Sequence, residues 1–93
     1  MTGILGRIFE VIRDRQANPK EGSYTNRLLE AGEDEILKKI GEEIVEVIVA
    51  AKGQGDERLI SELADLAYHS LVLLAARGLT PGDVAAELER RFR

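Results

Sequence analysis

No cysteine occurs anywhere in the 93 residues. That excludes a disulfide framework and a thiolate zinc centre, and it fits a reducing compartment. Tryptophan is also missing, and aromatic residues make up only 4% of the chain. No segment alternates apolar and polar residues at period two, so strands are not expected. Positive charge is scattered: thirteen Lys and Arg face seventeen Asp and Glu, for a net charge of -4. A nucleic-acid-binding module would show a basic stripe, and none is present. Long apolar runs are lacking too. The best candidate, Leu59 to Ala76, is interrupted by Glu62, Asp65 and His69, short of the roughly eighteen residues a membrane span needs. The opening MTGILGRIFEVIRDR has no basic segment followed by a long apolar core, so it does not read as a secretory signal. These absences leave a cytoplasmic location, with no membrane or nucleic-acid partner, as the expectation.

What remains is 44% hydrophobic and 32% charged, the composition of one globular domain over 1–93. Ile4, Leu5, Ile8, Phe9 and Ile12 recur at helical spacing and predict a helix over Ile4–Ala17. Asn18-Pro19 ends it, because the residue before proline avoids the helical region. Lys20 to Thr25 reads as a loop. A short helix follows over Asn26–Ala31, with Thr25 as its N-cap and Gly32 closing it. A long helix is expected over Asp34–Lys52, with Ile36, Leu37, Ile40, Ile44, Val47, Ile48 and Ala51 as its inward stripe. Gly41 lies inside it at a cost of up to ~1 kcal/mol relative to Ala, which suggests a close neighbouring backbone. Gly53-Gln-Gly55 breaks the chain. A third long helix runs over Glu57–Arg77 and is capped by Gly78. Thr80-Pro81 opens a last helix, which carries Val84, Leu88 and Phe92 inward.

The fold expected is all-α: a bundle of four to five helices around a central antiparallel hairpin. Leu63, Leu66, Leu71, Val72, Leu73 and Leu74 do not share one face of the third long helix. Such a helix is central or is covered by a second subunit, and a homodimer is the economical answer.

Two acidic pairs carry the chemistry: Glu43-x-x-Glu46 and Glu62-x-x-Asp65. Steps of three and four residues place Glu62, Asp65 and His69 on one stripe of a nearly apolar helix. Glu43 and Glu46 taken alone match an ordinary solvated face. For Glu62 and Asp65 a solvated face is harder to arrange, and a salt bridge from another helix is the competing explanation. Folded as a hairpin, the two helices can turn their pairs toward each other. Converging carboxylates repel and raise each other's pKa, and a hard divalent cation removes that penalty. Mg2+ suits such a set, with Mn2+ as a similar fit. On the wheel the carboxylates flank Ile44, Val45 and Ile48 rather than enter the core, and Glu42 projects further out as an outer or water-mediated ligand. His69 is either a donor to a carboxylate or a partly buried histidine bonded to its neighbours.

Cations suited to a phosphate-bearing substrate lie nearby. Lys38 and Lys39 sit one turn before the first pair, and Arg27 and Lys52 flank the hairpin. Ordinary i,i+4 pairing with Glu42 and Glu43 is the alternative for the lysines. Ser23, Tyr24, Thr25 and Asn26 offer hydroxyls and backbone N–H groups at a helix start, a position suited to anions. No Walker-type loop, Ser-His-Asp set or Rossmann fingerprint is present.

The motifs Ser-Tyr-Thr, Lys-x-Gly-Glu-Glu-x-x-Glu and Glu-x-x-Asp-Leu-x-Tyr-His occur in this order between Gly22 and Phe92. In that order they resemble the phosphoribosyl-ATP pyrophosphohydrolases of histidine biosynthesis, within the wider MazG-like group of all-α nucleotide pyrophosphohydrolases. The resemblance implies an Mg2+-dependent helical dimer or tetramer. It makes Glu43, Glu46, Glu62 and Asp65 the metal ligands, with Lys39 and the Ser23-Tyr24-Thr25 segment near the substrate. The implied reaction cleaves the α-β phosphoanhydride of phosphoribosyl-ATP to phosphoribosyl-AMP and pyrophosphate. Without the zinc-binding cysteines of the cyclohydrolase to which this domain is sometimes fused, a stand-alone enzyme is expected. Two other readings stay open: a house-cleaning nucleoside triphosphate pyrophosphohydrolase of the same fold, and a non-enzymatic helical dimerisation module.

Overall fold

The computed structural model describes residues 3–93; the first two residues of the domain expected over 1–93 lie outside the described residues. Five helices follow one another: α1 (Ile4–Ala17), α2 (Tyr24–Ala31), α3 (Glu33–Gly53), α4 (Asp56–Ala76) and α5 (Pro81–Phe92). No strand occurs among the described residues. The long helices α3 and α4 form the expected antiparallel hairpin, joined through Gln54-Gly55. Helices α1 and α2 pack across one end of it.

Glycine sets both corners of α3. Gly32 closes α2 and opens α3 at φ 100° and ψ 175°, a conformation open almost only to glycine. Gly55 opens α4 at φ 87°. The loop before α2 is wound around Asn26, which is buried. Its side chain accepts from the Lys20 N–H at 2.9 Å and donates to the Arg15 carbonyl at 2.8 Å. Ser23, not Thr25, is the N-cap of α2: its hydroxyl accepts from the Asn26 N–H. The helix therefore starts two residues earlier than expected, because Thr25 uses its own hydroxyl elsewhere. Thr80 and Asp83 form a capping box at the start of α5, with Pro81 at the first position, as the sequence predicts.

The apolar core joins Phe9 and Ile12 of α1, Leu28 of α2, Ile36 of α3, and Leu71, Val72 and Ala75 of α4. Ile8 packs against its edge, whereas Ile4 and Leu5 are exposed. Helix α4 is central, touching α1, α2 and α3. By length and mean hydropathy (1.4) it would be apolar enough to cross a membrane despite its interrupting polar residues. Here it is instead the packed middle of a bundle, with Glu62 and His69 buried.

The inward stripe of α3 differs from the expected one. Ile36, Ile40, Glu43, Val47 and Ala50 turn inward, at alternating steps of four and three, whereas Leu37, Ile44, Ile48 and Ala51 are exposed. The helix thus buries an acid where an isoleucine was expected, and Ile48 is 56% exposed. Val84, Leu88 and Phe92 are likewise exposed, Phe92 by 82%. Helix α5 lies at the periphery and does not insert its apolar face into this chain's core. Nor does Gly41 face a close neighbour: a Cβ there would meet nothing within 4 Å, and nothing in the chain explains the glycine.

Opposite effects are expected at two glycines. Gly32→Ala should cost about 1–3 kcal/mol through its backbone conformation. Gly41→Ala should stabilise by up to ~1 kcal/mol, since helix propensity is the only term that changes. Urea denaturation of the two variants checks both signs.

Candidate active site

The α3–α4 hairpin brings the two acidic pairs together. Glu43, Glu62 and Asp65 each offer an oxygen within 4.8 Å of the others, a spacing that could hold a metal ion. Glu46 stands beside the set, near enough to raise the pKa of both Glu43 and Glu62. Carboxylates this close repel, and a shared proton or a cation removes the penalty. Exposure is graded across the cluster: Glu62 is 3% exposed, Glu43 is half-buried and Asp65 lies open to solvent. One wall is therefore dry, and the opposite side is accessible to a ligand.

Compensation within the chain is incomplete. Arg58, one turn before Glu62 on the same helix, reaches its carboxylate at 3.1 Å. The salt bridge foreseen as the alternative to a metal thus exists, but from α4 itself and for Glu62 alone. The i,i+4 spacing of Arg58 and Glu62 was visible in the sequence and was overlooked there. Glu43 has no such partner. Its Oε2 is buried and makes no hydrogen bond, and His69 Nδ1 stands 3.9 Å from its Oε1. Burial, then Glu46, then the charges of Asp65 and Glu62 push the Glu43 pKa up to about 7. Burial and Glu46 also raise the pKa of Glu62, against the opposing pull of Arg58. An orphaned buried oxygen among four carboxylates is the donor set a hard divalent cation takes, so the residues fit Mg2+ or Mn2+. Glu42 points away, exposed and paired with Lys39 at 3.6 Å.

His69 is buried beside this cluster and tied at both ring nitrogens. Its Nδ1 lies 2.9 Å from the Asp65 carbonyl, which can only accept, so Nδ1 carries the proton. Its Nε2 closes a second hydrogen bond with the Tyr24 hydroxyl at 2.9 Å. Burial raises the Tyr24 pKa above its ordinary value. Thr25 shares a short hydrogen bond with the Tyr68 hydroxyl. Tyr68 is thus the second tie between α2 and α4.

Of the cations foreseen, the structure gathers two. Arg27 and Lys39 line a cleft between α2 and α3, together with Tyr24 and Glu35. Lys38 is exposed outside this cleft, and Lys52 sits in the last turn of α3, where it complements the helix dipole.

Converging carboxylates on a helical hairpin, with a cation-bearing cleft elsewhere on α2 and α3, define a class: an all-α protein with donors suited to a divalent cation. The sequence matches the family described as phosphoribosyl-ATP pyrophosphohydrolase over residues 5–92. It is 51% identical to the phosphoribosyl-ATP pyrophosphatase of Sulfurisphaera tokodaii, covering 99% of this chain and 98% of that one. It is 57% identical to the phosphoribosyl-ATP pyrophosphatase of Pelotomaculum thermopropionicum, covering 95% and 90%. Similarity extends at 48% identity to the histidine biosynthesis bifunctional protein HisIE of Caldanaerobacter subterraneus, where 97% of this chain matches 44% of the longer one. The chain belongs to the phosphoribosyl-ATP pyrophosphohydrolase family.

The raised pKa of Glu43 has a consequence for stability. Between the ordinary 4.5 and about 7, the native state holds a proton more tightly than the unfolded chain does. That stabilisation is complete at low pH and is lost as pH rises through the folded value. Metal-free protein should therefore lose Tm from about pH 5 to about pH 8 through this site, and saturating Mn2+ should restore more Tm at the higher pH. Thermal melts with and without Mn2+ test this; a Tm gain independent of pH would contradict it.

Proposed function

We propose that this chain hydrolyses the α-β phosphoanhydride of phosphoribosyl-ATP, yielding phosphoribosyl-AMP and pyrophosphate in the second step of histidine biosynthesis. The observation that carries the reading is the convergence of Glu43, Glu62 and Asp65, with Glu46 beside them, in a chain of this family. These four would hold Mg2+, with Mn2+ a possible substitute. A divalent cation bound there supplies neutralisation of charge on the phosphate oxygens and makes water more acidic.

The chain's own residues do the rest. One carboxylate of the cluster takes the proton of the attacking water, as a general base within hydrogen-bond reach. Arg27 and Lys39, at the rim, stabilise the pyrophosphate leaving group electrostatically. The open side at Asp65 admits substrate, while the buried side at Glu62 excludes bulk water and strengthens each charge interaction. His69, tied at both nitrogens, keeps the α4 backbone at Asp65 in place. The site forms within one domain, and a nucleotide substrate with Mg2+ suits the cytoplasm.

A homodimer completes this reading. Ile44, Val45, Ile48 and Val49 on α3 and Ile60 and Leu63 on α4 are exposed along one long hairpin. Apolar surface of that extent calls for a partner, and a second copy offers the matching face. Ile48→Glu should shift the protein toward monomer in analytical ultracentrifugation. A dimer of unchanged strength would remove this face from the interface.

Two measurements test the activity. Glu62→Gln and Asp65→Asn should each lower kcat by about two or more orders of magnitude while circular dichroism keeps its helical signature. Near-wild-type turnover in either variant at saturating Mg2+ would overturn the carboxylate assignment. Pyrophosphate release from phosphoribosyl-ATP should exceed release from dUTP, dCTP and ATP; preference for a simple triphosphate would point to a house-cleaning enzyme.

A further inference from the structure

All three hydroxyls of the Ser23-Tyr24-Thr25 segment are engaged inside the protein. Ser23 caps α2 as an acceptor, Tyr24 bonds His69, and Thr25 bonds Tyr68. Each already holds one internal bond, and the Ser23 O–H keeps its proton to donate. The Tyr24 ring is engaged as well. It stacks near Tyr68, with centroids 6.2 Å apart and planes at 27°, and it meets the edge of His69. The Arg27 guanidinium lies over the ring, 5.4 Å from its centroid.

Arg27 contrasts with the other arginines near the hairpin. Arg58 is paired with Glu62 and Arg77 with Glu33, but Arg27 makes no ion pair within 4 Å among the described residues. Its only strong neighbour is the tyrosine ring, and it faces the cleft that Lys39 also lines. A guanidinium on an aromatic face keeps its charge and its N–H fork available. Held flat, it loses less freedom when it grips a phosphate bidentately.

We propose that Tyr24 is a positioning residue. Its ring, packed against Tyr68 and His69 of α4, carries Arg27 on its face, so the phosphate-gripping cation of α2 stands at a fixed reach from the carboxylates of the hairpin. This rests on the diphosphate-releasing activity proposed above and assigns Tyr24 a role other than direct substrate contact.

The test is pyrophosphate binding by titration calorimetry with Ca2+ present, across Tyr24→Phe, Tyr24→Leu, Arg27→Lys, Arg27→Met and the Tyr24→Leu/Arg27→Met double variant. Tyr24→Phe keeps the platform and should bind within roughly twofold of wild type. Tyr24→Leu and Arg27→Lys should each weaken binding by roughly threefold to tenfold. The double variant should bind no more weakly than Arg27→Met alone, because the ring acts through the arginine. With phosphoribosyl-ATP the Tyr24→Leu loss should fall on KM rather than kcat.

If Tyr24→Phe and Tyr24→Leu weaken binding equally, or if the leucine and methionine effects add, Tyr24 is only a staple between helices and the proposal fails. Should Tyr24→Leu not fold, wild-type affinity in Arg27→Lys overturns the platform by itself. A wild type that binds no pyrophosphate overturns it as well. A wild type that binds pyrophosphate yet leaves phosphoribosyl-ATP intact refutes the assigned substrate, and the binding series still judges the platform.

Discussion

Four carboxylates gathered along one side of two packed helices, from buried Glu62 to open Asp65, are the constraint around which this small bundle is arranged. Buried carboxylates in contact cost free energy unless positive charge or protons compensate them. Arg58 compensates one of them. The rest of the deficit shows in the upward pKa of Glu43 and in its unpartnered oxygen. A helix propensity or a core contact could be exchanged for another at small cost. This cluster could not, because the inward face of α3 is built around Glu43 where the expected pattern had an apolar residue. The displaced Leu37, Ile44 and Ile48 emerge on the outer face beside Val45 and Val49, so the acid cluster and the exposed apolar surface are two results of one rotation of α3.

The remaining elements serve that arrangement in layers. The apolar core sits at one end of the hairpin, where α1 and α2 brace Ile36 against Leu71 and Val72. It fixes the register of α3 on α4 without placing apolar side chains among the acids. Between core and acids lies a polar seam: Tyr24 to His69, Thr25 to Tyr68, and His69 to the Asp65 carbonyl. Each member has a partner inside the protein, so the seam tolerates burial. It also joins Arg27, through the Tyr24 ring, to the helix that carries Glu62 and Asp65. The core supplies stability, the seam supplies position, and the carboxylates supply donors suited to a cation.

Much of this was legible in the sequence, for identifiable reasons. Helix limits came within one or two residues because glycine, proline and capping side chains punctuate the chain: Gly32, Gly53-Gln-Gly55, Gly78 and Thr80-Pro81 all act where the pattern indicates. The acidic set was legible because Glu62 and Asp65 interrupt an apolar helix. The facing of α3 was not. Ile36, Leu37, Ile40, Ile44, Val47 and Ile48 cover more than one face, and hydrophobicity alone favours turning isoleucines in and glutamates out. A buried acid cluster reverses that preference locally, and no periodicity records it. Helix α5 misled for a related reason: its amphipathic pattern is sound, but the face it presents is not covered within this chain. The cap of α2 was misplaced by two residues because Ser23 and Thr25 are equally good caps, and only the position of Tyr68 on a distant helix decides between them.

The central claim is that Glu43, Glu46, Glu62 and Asp65 form a divalent-cation site. The direct measurement is Mn2+ binding followed by electron paramagnetic resonance, with wild type compared to Glu62→Gln and Glu43→Gln. The account predicts saturable binding in wild type, with free Mn2+ signal lost in proportion to protein, and at least tenfold weaker binding in either variant. Equal Mn2+ binding by all three proteins, or none by wild type, would contradict it.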